Sequence, residues 1–222
     1  MIDPKIKQAL QAISFFQGLE DDDLTALAQA MIVRRYETGQ VVFLEDEPSD
    51  GLYMIESGVG KLYSVSERGR EYILTTLKRG DSCNEVTLID DGPNPISLAA
   101  VENMTVLVIP KDVIKQLCET NPLVYTIIAK SLAARCRQLV RQVCRLSLLS
   151  VTGRLAAFLL ARSNGSNFVE YGWTQAELAA YLGTVREMVN RALRELQKTE
   201  VIRINGSTIN IIDPERLEEL AE

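Results

Sequence analysis

Arg186, Glu187 and Arg191 are the residues whose types and spacing suggest chemistry most directly. In the run Arg186-Glu187-Met-Val-Asn-Arg191, two planar donor forks and one carboxylate acceptor fall at the start and middle of a helical stretch. That is where a recognition helix meets base edges: arginine matches guanine O6 and N7, and a carboxylate accepts from the cytosine amino group. Asn190 and Arg194 extend this outer face, and Val185, Met188, Val189, Ala192, Leu193 and Leu196 are expected on the buried side. Thr174, Gln175 and Thr184, at the ends of the two helices, complete the set expected to face nucleic acid. An ordinary αα-hairpin with solvated charges has the same spacing and stays open as the alternative.

A second group, Cys83-Asn84-Glu85-Val86, has no base near it in sequence, and neither a phosphate loop nor a metal motif accompanies it. The chain contains no histidine, so histidine-based acid–base catalysis is excluded and the commonest metal ligand is missing. Its four cysteines, Cys83, Cys118, Cys136 and Cys144, include no C-x-x-C pair and read as buried free thiols. No catalytic and no metal-ligating residues are therefore assigned, and the chain is not read as an enzyme.

The elements that must position the reader are legible around it. Thr174 with Glu177 is a capping box, Leu178 and Leu182 share a face, and Gly183 supplies the left-handed residue that stops the first helix. Val201-Ile-Arg-Ile and Thr208-Ile-Asn-Ile-Ile flank Asn205-Gly206, read as a type I′ hairpin turn, so the helix-turn-helix is winged. Val151 to Ala161 begins this domain, with Leu155, Phe158 and Leu159 as its core stripe. Ser163 to Asn167 is a turn-rich connection, and Pro214 to Glu222 a short acidic helix.

Upstream, residues 4–30 read as helical. From Met31 to Ile109 the period changes to two, in runs at 40–44, 51–55, 60–65, 71–77 and 104–109, separated by Gly39, Gly58, Gly69 and Gly80 turns. Short strands without crossover helices imply a barrel or jelly roll able to hold a ligand. Lys111 to Glu119 is helical, and a long helix follows from Pro122 to about Ser147. Leu132, Cys136, Leu139, Val143 and Leu146 repeat along it at 4-3-4-3 spacing, the seam of a coiled coil between two copies, or else packing against the chain's own barrel. The fold class is α+β, with a β-barrel domain over 1–120, a dimerisation helix over 121–149 and a winged helix-turn-helix domain over 150–222.

With 222 residues, 46% hydrophobic and 24% charged, the composition is globular, and no apolar run is long enough for a membrane span. The start, Met-Ile-Asp-Pro-Lys, lacks the features of a signal peptide, so a cytoplasmic location is expected. The net charge of −6 argues against non-specific nucleic-acid binding, but acids crowd the first half and arginines the second.

The order of these features resembles the cyclic-AMP receptor protein and fumarate–nitrate reductase regulator superfamily of bacterial transcription factors. The resemblance runs from Phe15-Phe-Gln-Gly-Leu through Gly80-Asp81 and Glu85-Val-Thr-Leu to Val151-Thr-Gly-Arg154 and Arg186-Glu-Met-Val-Asn-Arg191. It implies a homodimer paired through the long helices, double-stranded DNA as partner, a palindrome with TGTGA-like arms, contact with RNA polymerase, and control by a small-molecule or gas effector. Cyclic-nucleotide members carry Gly-Glu-Leu and then an Arg-Ser phosphate clamp. Here the stretch reads Asn84-Glu85-Val86 with Pro95 and Ile96 at the clamp, and Leu139 and Val140 replace the Thr-Ser pair that reaches the adenine. The effector pocket is thus expected around Cys83, Asn84, Glu85, Val86, Pro95, Ile96, Leu139 and Val140, with cyclic AMP disfavoured and the cofactor unknown. Haem held by Cys, Met or the N-terminal amine stays open, as does a constitutive DNA-binding protein whose barrel only supports the dimer.

Overall fold

The computed structural model describes residues 19–170 and 173–222; the helical reading over 4–18 lies outside them. Two compact units are present: the chain to Ser64 with Ile73–Arg137, and Val65–Tyr72 with Gln138–Glu222. The long helix is therefore divided between the two units.

In the first unit the described chain begins with α1 (Asp21–Ala30), whose first turn places Asp21, Asp22 and Asp23 at the positive end of the helix dipole. Eight strands follow: β1 (Ile32–Tyr36), β2 (Val41–Phe43), β3 (Gly51–Ser57), β4 (Val59–Val65), β5 (Glu71–Lys78), β6 (Ser82–Cys83), β7 (Ser97–Ala100) and β8 (Met104–Pro110). A single turn of helix, α2 (Thr87–Asp90), interrupts them between β6 and β7. They form two four-stranded sheets, ordered β1-β8-β3-β6 and β2-β7-β4-β5. β1 and β3 pair antiparallel with β8, β2 and β4 with β7, and β3 with β6, as a jelly roll requires.

β3 and β8 bury both of their faces, which is why they read as nearly continuous apolar runs. Tyr53 and Ile55, with Val106 and Val108, join Phe43, Leu62, Leu77 and Leu98 in the core between the sheets. Leu52 and Met54, with Leu107 and Ile109, join Leu24 and Leu27 of α1 in a second core. That core also takes Ile114 and Leu117 of α3 (Lys111–Thr120) and Val124 and Ile128 of α4 (Leu123–Leu148). At the β3–β4 turn Gly58 has φ 80°, and an added Cβ would lie 2.3 Å from the Asn103 carbonyl oxygen, so no side chain fits.

The second unit contains the last part of α4, then α5 (Val151–Ser163), β9 (Phe168–Glu170), α6 (Gln175–Leu182), α7 (Arg186–Lys198), β10 (Ile202–Asn205), β11 (Thr208–Ile211) and α8 (Pro214–Ala221). Leu155 and Leu159 of α5, Leu178 and Leu182 of α6, Val189, Leu193 and Leu196 of α7, and Ile209 and Ile211 of β11 share one core. The wing is a three-stranded sheet, because β9, which follows the turn-rich connection expected over Ser163 to Asn167, adds to β11. Asn205 pairs with Thr208, so the two-residue loop is Gly206-Ser207, not Asn205-Gly206. Positive φ falls at Gly206 (58°), the first loop position, which fits a II′ turn and corrects the I′ reading.

Candidate nucleic-acid interface and effector site

α6 starts on a complete capping box. Thr174 Oγ1 accepts from the Glu177 amide at 3.2 Å, and the Thr174 amide donates to Glu177 Oε2 at 2.7 Å. Such a cap contributes about 1 kcal/mol. The helix ends at Gly183, with φ 62°. The Thr184 amide donates to the Ala179 carbonyl at 3.0 Å and the Gly183 amide to Ala180 at 3.4 Å, the two bonds of a Schellman ending. The chain can then reverse at once into α7.

Val189, Ala192, Leu193 and Leu196 of α7 are buried, which leaves Arg186, Glu187, Arg191 and Arg194 exposed and Asn190 half-buried. Two residues expected on the buried face are not there. Val185 is 43% exposed because it is the extended N-cap before the helix, and Met188 is 38% exposed because it sits about a quarter turn from the centre of the buried stripe.

Gln175, at the first position of α6, accepts from Arg186 Nε at 3.0 Å, which aims the guanidinium and leaves its two terminal nitrogens as a fork. Gln175 thus holds Arg186, and the Thr174 hydroxyl is engaged by the helix cap. Thr184 is half-buried in the turn.

In the first unit, the residues expected to line an effector pocket surround a polar network. Glu85 is 5% exposed; its Oε1 accepts from Ser82 Oγ at 2.5 Å and from Ser131 Oγ of α4 at 3.2 Å. Arg135, one turn beyond Ser131, donates to the Ser82 carbonyl at 3.1 Å. Asn84 has φ 71°, and its Nδ2 donates to Asn94 Oδ1 at 2.6 Å. Asn94, fully buried, in turn donates to the Leu44 carbonyl at 3.0 Å. Val86 precedes α2 and is half-buried. Pro95 is exposed, and Ile96 packs against the inter-sheet core.

Ser82, Asn94, Ser131 and Arg135 were not singled out from sequence. Ser131 and Arg135 share one face of α4 by their i, i+4 spacing, the one signal that could have paired them.

Cys83 lies in the inter-sheet core. Burial pushes its thiol well above the usual range; the Glu85 carboxylate adds to this, and the Arg135 guanidinium opposes it. The thiolate is the reactive form, so Cys83 is expected to resist a maleimide in the native protein and to react only on unfolding. Native labelling of Cys83 as fast as that of exposed Cys144, read by mass spectrometry, would contradict this placement. Cys118 is buried as expected, whereas Cys136 and Cys144 are exposed on α4, because none of the described residues covers them.

Leu139 and Val140 belong to the second unit and are 38% and 57% exposed. Among the expected seam residues, Cys136, Leu139, Val143 and Leu146 are exposed. Leu132 departs from that set: it is half-buried and packs on the core of its own unit. One set of exposed, mostly small or apolar residues at 4-3-4-3-4 spacing is Ala129, Ala133, Cys136, Val140, Val143 and Ser147, which shares Cys136 and Val143 with the expected line.

Two family models match the chain. Residues 33–121 match the cyclic nucleotide-binding domain and residues 153–220 the Crp-like helix-turn-helix domain. A CRP-like cAMP-activated global transcriptional regulator of Mycobacterium tuberculosis is 30% identical over 217 residues, covering 95% of this chain and 97% of that protein. The chain belongs to the Crp/Fnr superfamily of transcription regulators. A cyclic AMP receptor protein of Thermus thermophilus is 29% identical over 206 residues, covering 93% of this chain and 95% of that protein. A putative crp/fnr-family regulator of Eubacterium rectale shares the fold, with a TM-score of 0.80 at 22% identity over 95% of this chain and 99% of that one. Crp/Fnr proteins are DNA-binding regulators and not enzymes. No helix among the described residues is long and apolar enough to cross a membrane.

Proposed function

We propose that this Crp/Fnr protein acts as a homodimer on palindromic double-stranded DNA, reads bases through Arg186, Glu187 and Arg191, and responds to an effector other than a cyclic nucleotide. Carrying the reading is the exposed face of α7, with Arg186 aimed by Gln175. Two related readers on a two-fold axis match half-sites about one helical turn, or ~34 Å, apart.

The effector half of the proposal is supported by the donor set. A cyclic phosphate needs a cationic fork, and the two positions where relatives of the cyclic-nucleotide type place Arg and Ser hold Pro95 and Ile96. Glu85, the carboxylate left for a ribose hydroxyl, already takes hydrogen bonds from Ser82 and Ser131 at Oε1. A buried phosphate without its counter-charge costs several kcal/mol. Haem fits no better: Cys83, the buried thiol of this site, lies in the inter-sheet core, where burial and the Glu85 carboxylate disfavour its thiolate. An apolar or weakly anionic small molecule suits the site better.

Isothermal calorimetry with cyclic AMP and cyclic GMP tests the effector reading. We expect no binding heat and no change in affinity for a palindromic duplex. Micromolar binding of either nucleotide, accompanied by tighter DNA binding, would overturn it.

A further inference from the structure

The second unit contains a joint that the reading of bases does not use. Arg154, in the first turn of α5, donates from Nη1 to the Leu149 carbonyl at 2.9 Å and to the Leu146 carbonyl at 3.4 Å. Its Nε donates to the Leu182 carbonyl at 2.9 Å. Leu146 and Leu149 carry carbonyls of the end of α4, and Leu182 is the last residue of α6. Both are helix C-termini, whose final carbonyls lack intrahelical donors and carry partial negative charge. One guanidinium therefore caps two helix ends at once, a task that needs a planar fork of several donors.

The same joint is tightly packed. A Cβ built at Gly183, the turn residue that follows Leu182, would stand 2.9 Å from Leu146 Cδ2 and 3.3 Å from the Tyr72 ring. The turn of the helix-turn-helix is thus seated against the end of α4 on one side and held to it through Arg154 on the other. α5 itself is fixed independently of this clamp: the Ser150 hydroxyl caps it by accepting from the Gly153 amide, and its Leu155 and Leu159 lie in the domain core.

We propose that Arg154 is a positioning residue that locks the first helix of the reader to the end of the long helix and so sets the separation of the two readers in the dimer. This rests on the reading of α7 as the DNA reader of a dimer. Without the clamp each winged domain keeps its fold and its reading face, but its placement on the long helix is no longer fixed. Lysine supplies the charge without the fork, so it restores only part of the coupling.

The test is binding of full-length wild type, Arg154→Met and Arg154→Lys to a series of palindromic duplexes that differ in half-site spacing, and to a duplex with one half-site. Wild type should prefer one spacing. Arg154→Met should lose about tenfold on that duplex, should bind the other spacings nearly as well as wild type, and should hold the single half-site within about twofold. Arg154→Lys should fall between. Equal loss on every duplex, or no loss on the preferred one, overturns the proposal while the DNA reading stands. Unfolding of both variants by circular dichroism also overturns it, since Arg154 would then be a determinant of the fold. A wild type that binds no palindrome overturns the DNA reading and this proposal together.

Discussion

Arg186→Ala and Arg191→Ala are each expected to weaken binding to a selected palindrome by about 1–3 kcal/mol, the range of a lost bidentate base contact. Affinity for random duplex should hardly change, because that term comes from phosphate neutralisation by the whole basic surface. Arg186 should show the larger loss. Its Nε is held by Gln175, so its fork is already oriented in the free protein and less side-chain entropy is lost on binding. Gln175→Ala should consequently reproduce part of the Arg186 defect without touching a base. Glu187→Ala should cost less in affinity and instead relax preference at one base pair, since a lone acceptor mainly rejects bases that lack a donor. Fluorescence anisotropy on specific and random duplexes separates these cases. Equal losses on both would remove Arg186 and Arg191 from the reading role.

The helix-turn-helix was legible in sequence because its determinants are local. The capping box of Thr174 and Glu177 and the left-handed Gly183 are written within a few residues of the bonds they make, and the structure contains both. β3 and β8 were also legible, since each carries an unbroken apolar run. What escaped was set from a distance. β7 (Ser97–Ala100) is small and wholly buried, without alternation, and is defined by pairing with β2 and β4. β9 is three residues long and exists because β11 offers it an edge.

The polar network around Glu85 shows the same limit. Ser82 lies three residues from Glu85 and could have been guessed, whereas Ser131 is brought to it from 46 residues away on another helix. Substitutions at Pro95 and Ile96 could be compared with a family pattern position by position. The partners that satisfy Glu85 could not, because only the fold brings α4 over β6. Met188 and Leu132 were misplaced for a related reason: each lies at the border of a helical stripe, where the direction of the packed neighbour decides which side is covered.

Val143→Asp is expected to convert the protein to a monomer and abolish binding to the palindrome, while single half-site binding stays weak but measurable. Val143 is 62% exposed, and Ala129, Ala133, Cys136, Val140 and Ser147, also exposed, fall in line with it along α4. Small residues on such a strip let a second helix approach closely, and the 4-3 spacing keeps them in line over the length of the helix. The expected line through Leu132 shares Cys136 and Val143 with this strip, so Val143 tests pairing of the helices under either register. A carboxylate placed there would be buried against an apolar partner without a counter-charge, which costs several kcal/mol in each copy. In the chain alone the same side chain stays in water, so thermal stability of the monomer should change little. Light scattering gives the mass directly, and Cys136 supplies a second readout: slow to react with a maleimide when the helices pair, it should become as reactive as Cys144 in the variant. A dimeric Val143→Asp protein with an unreactive Cys136 would mean that the two copies pair somewhere else.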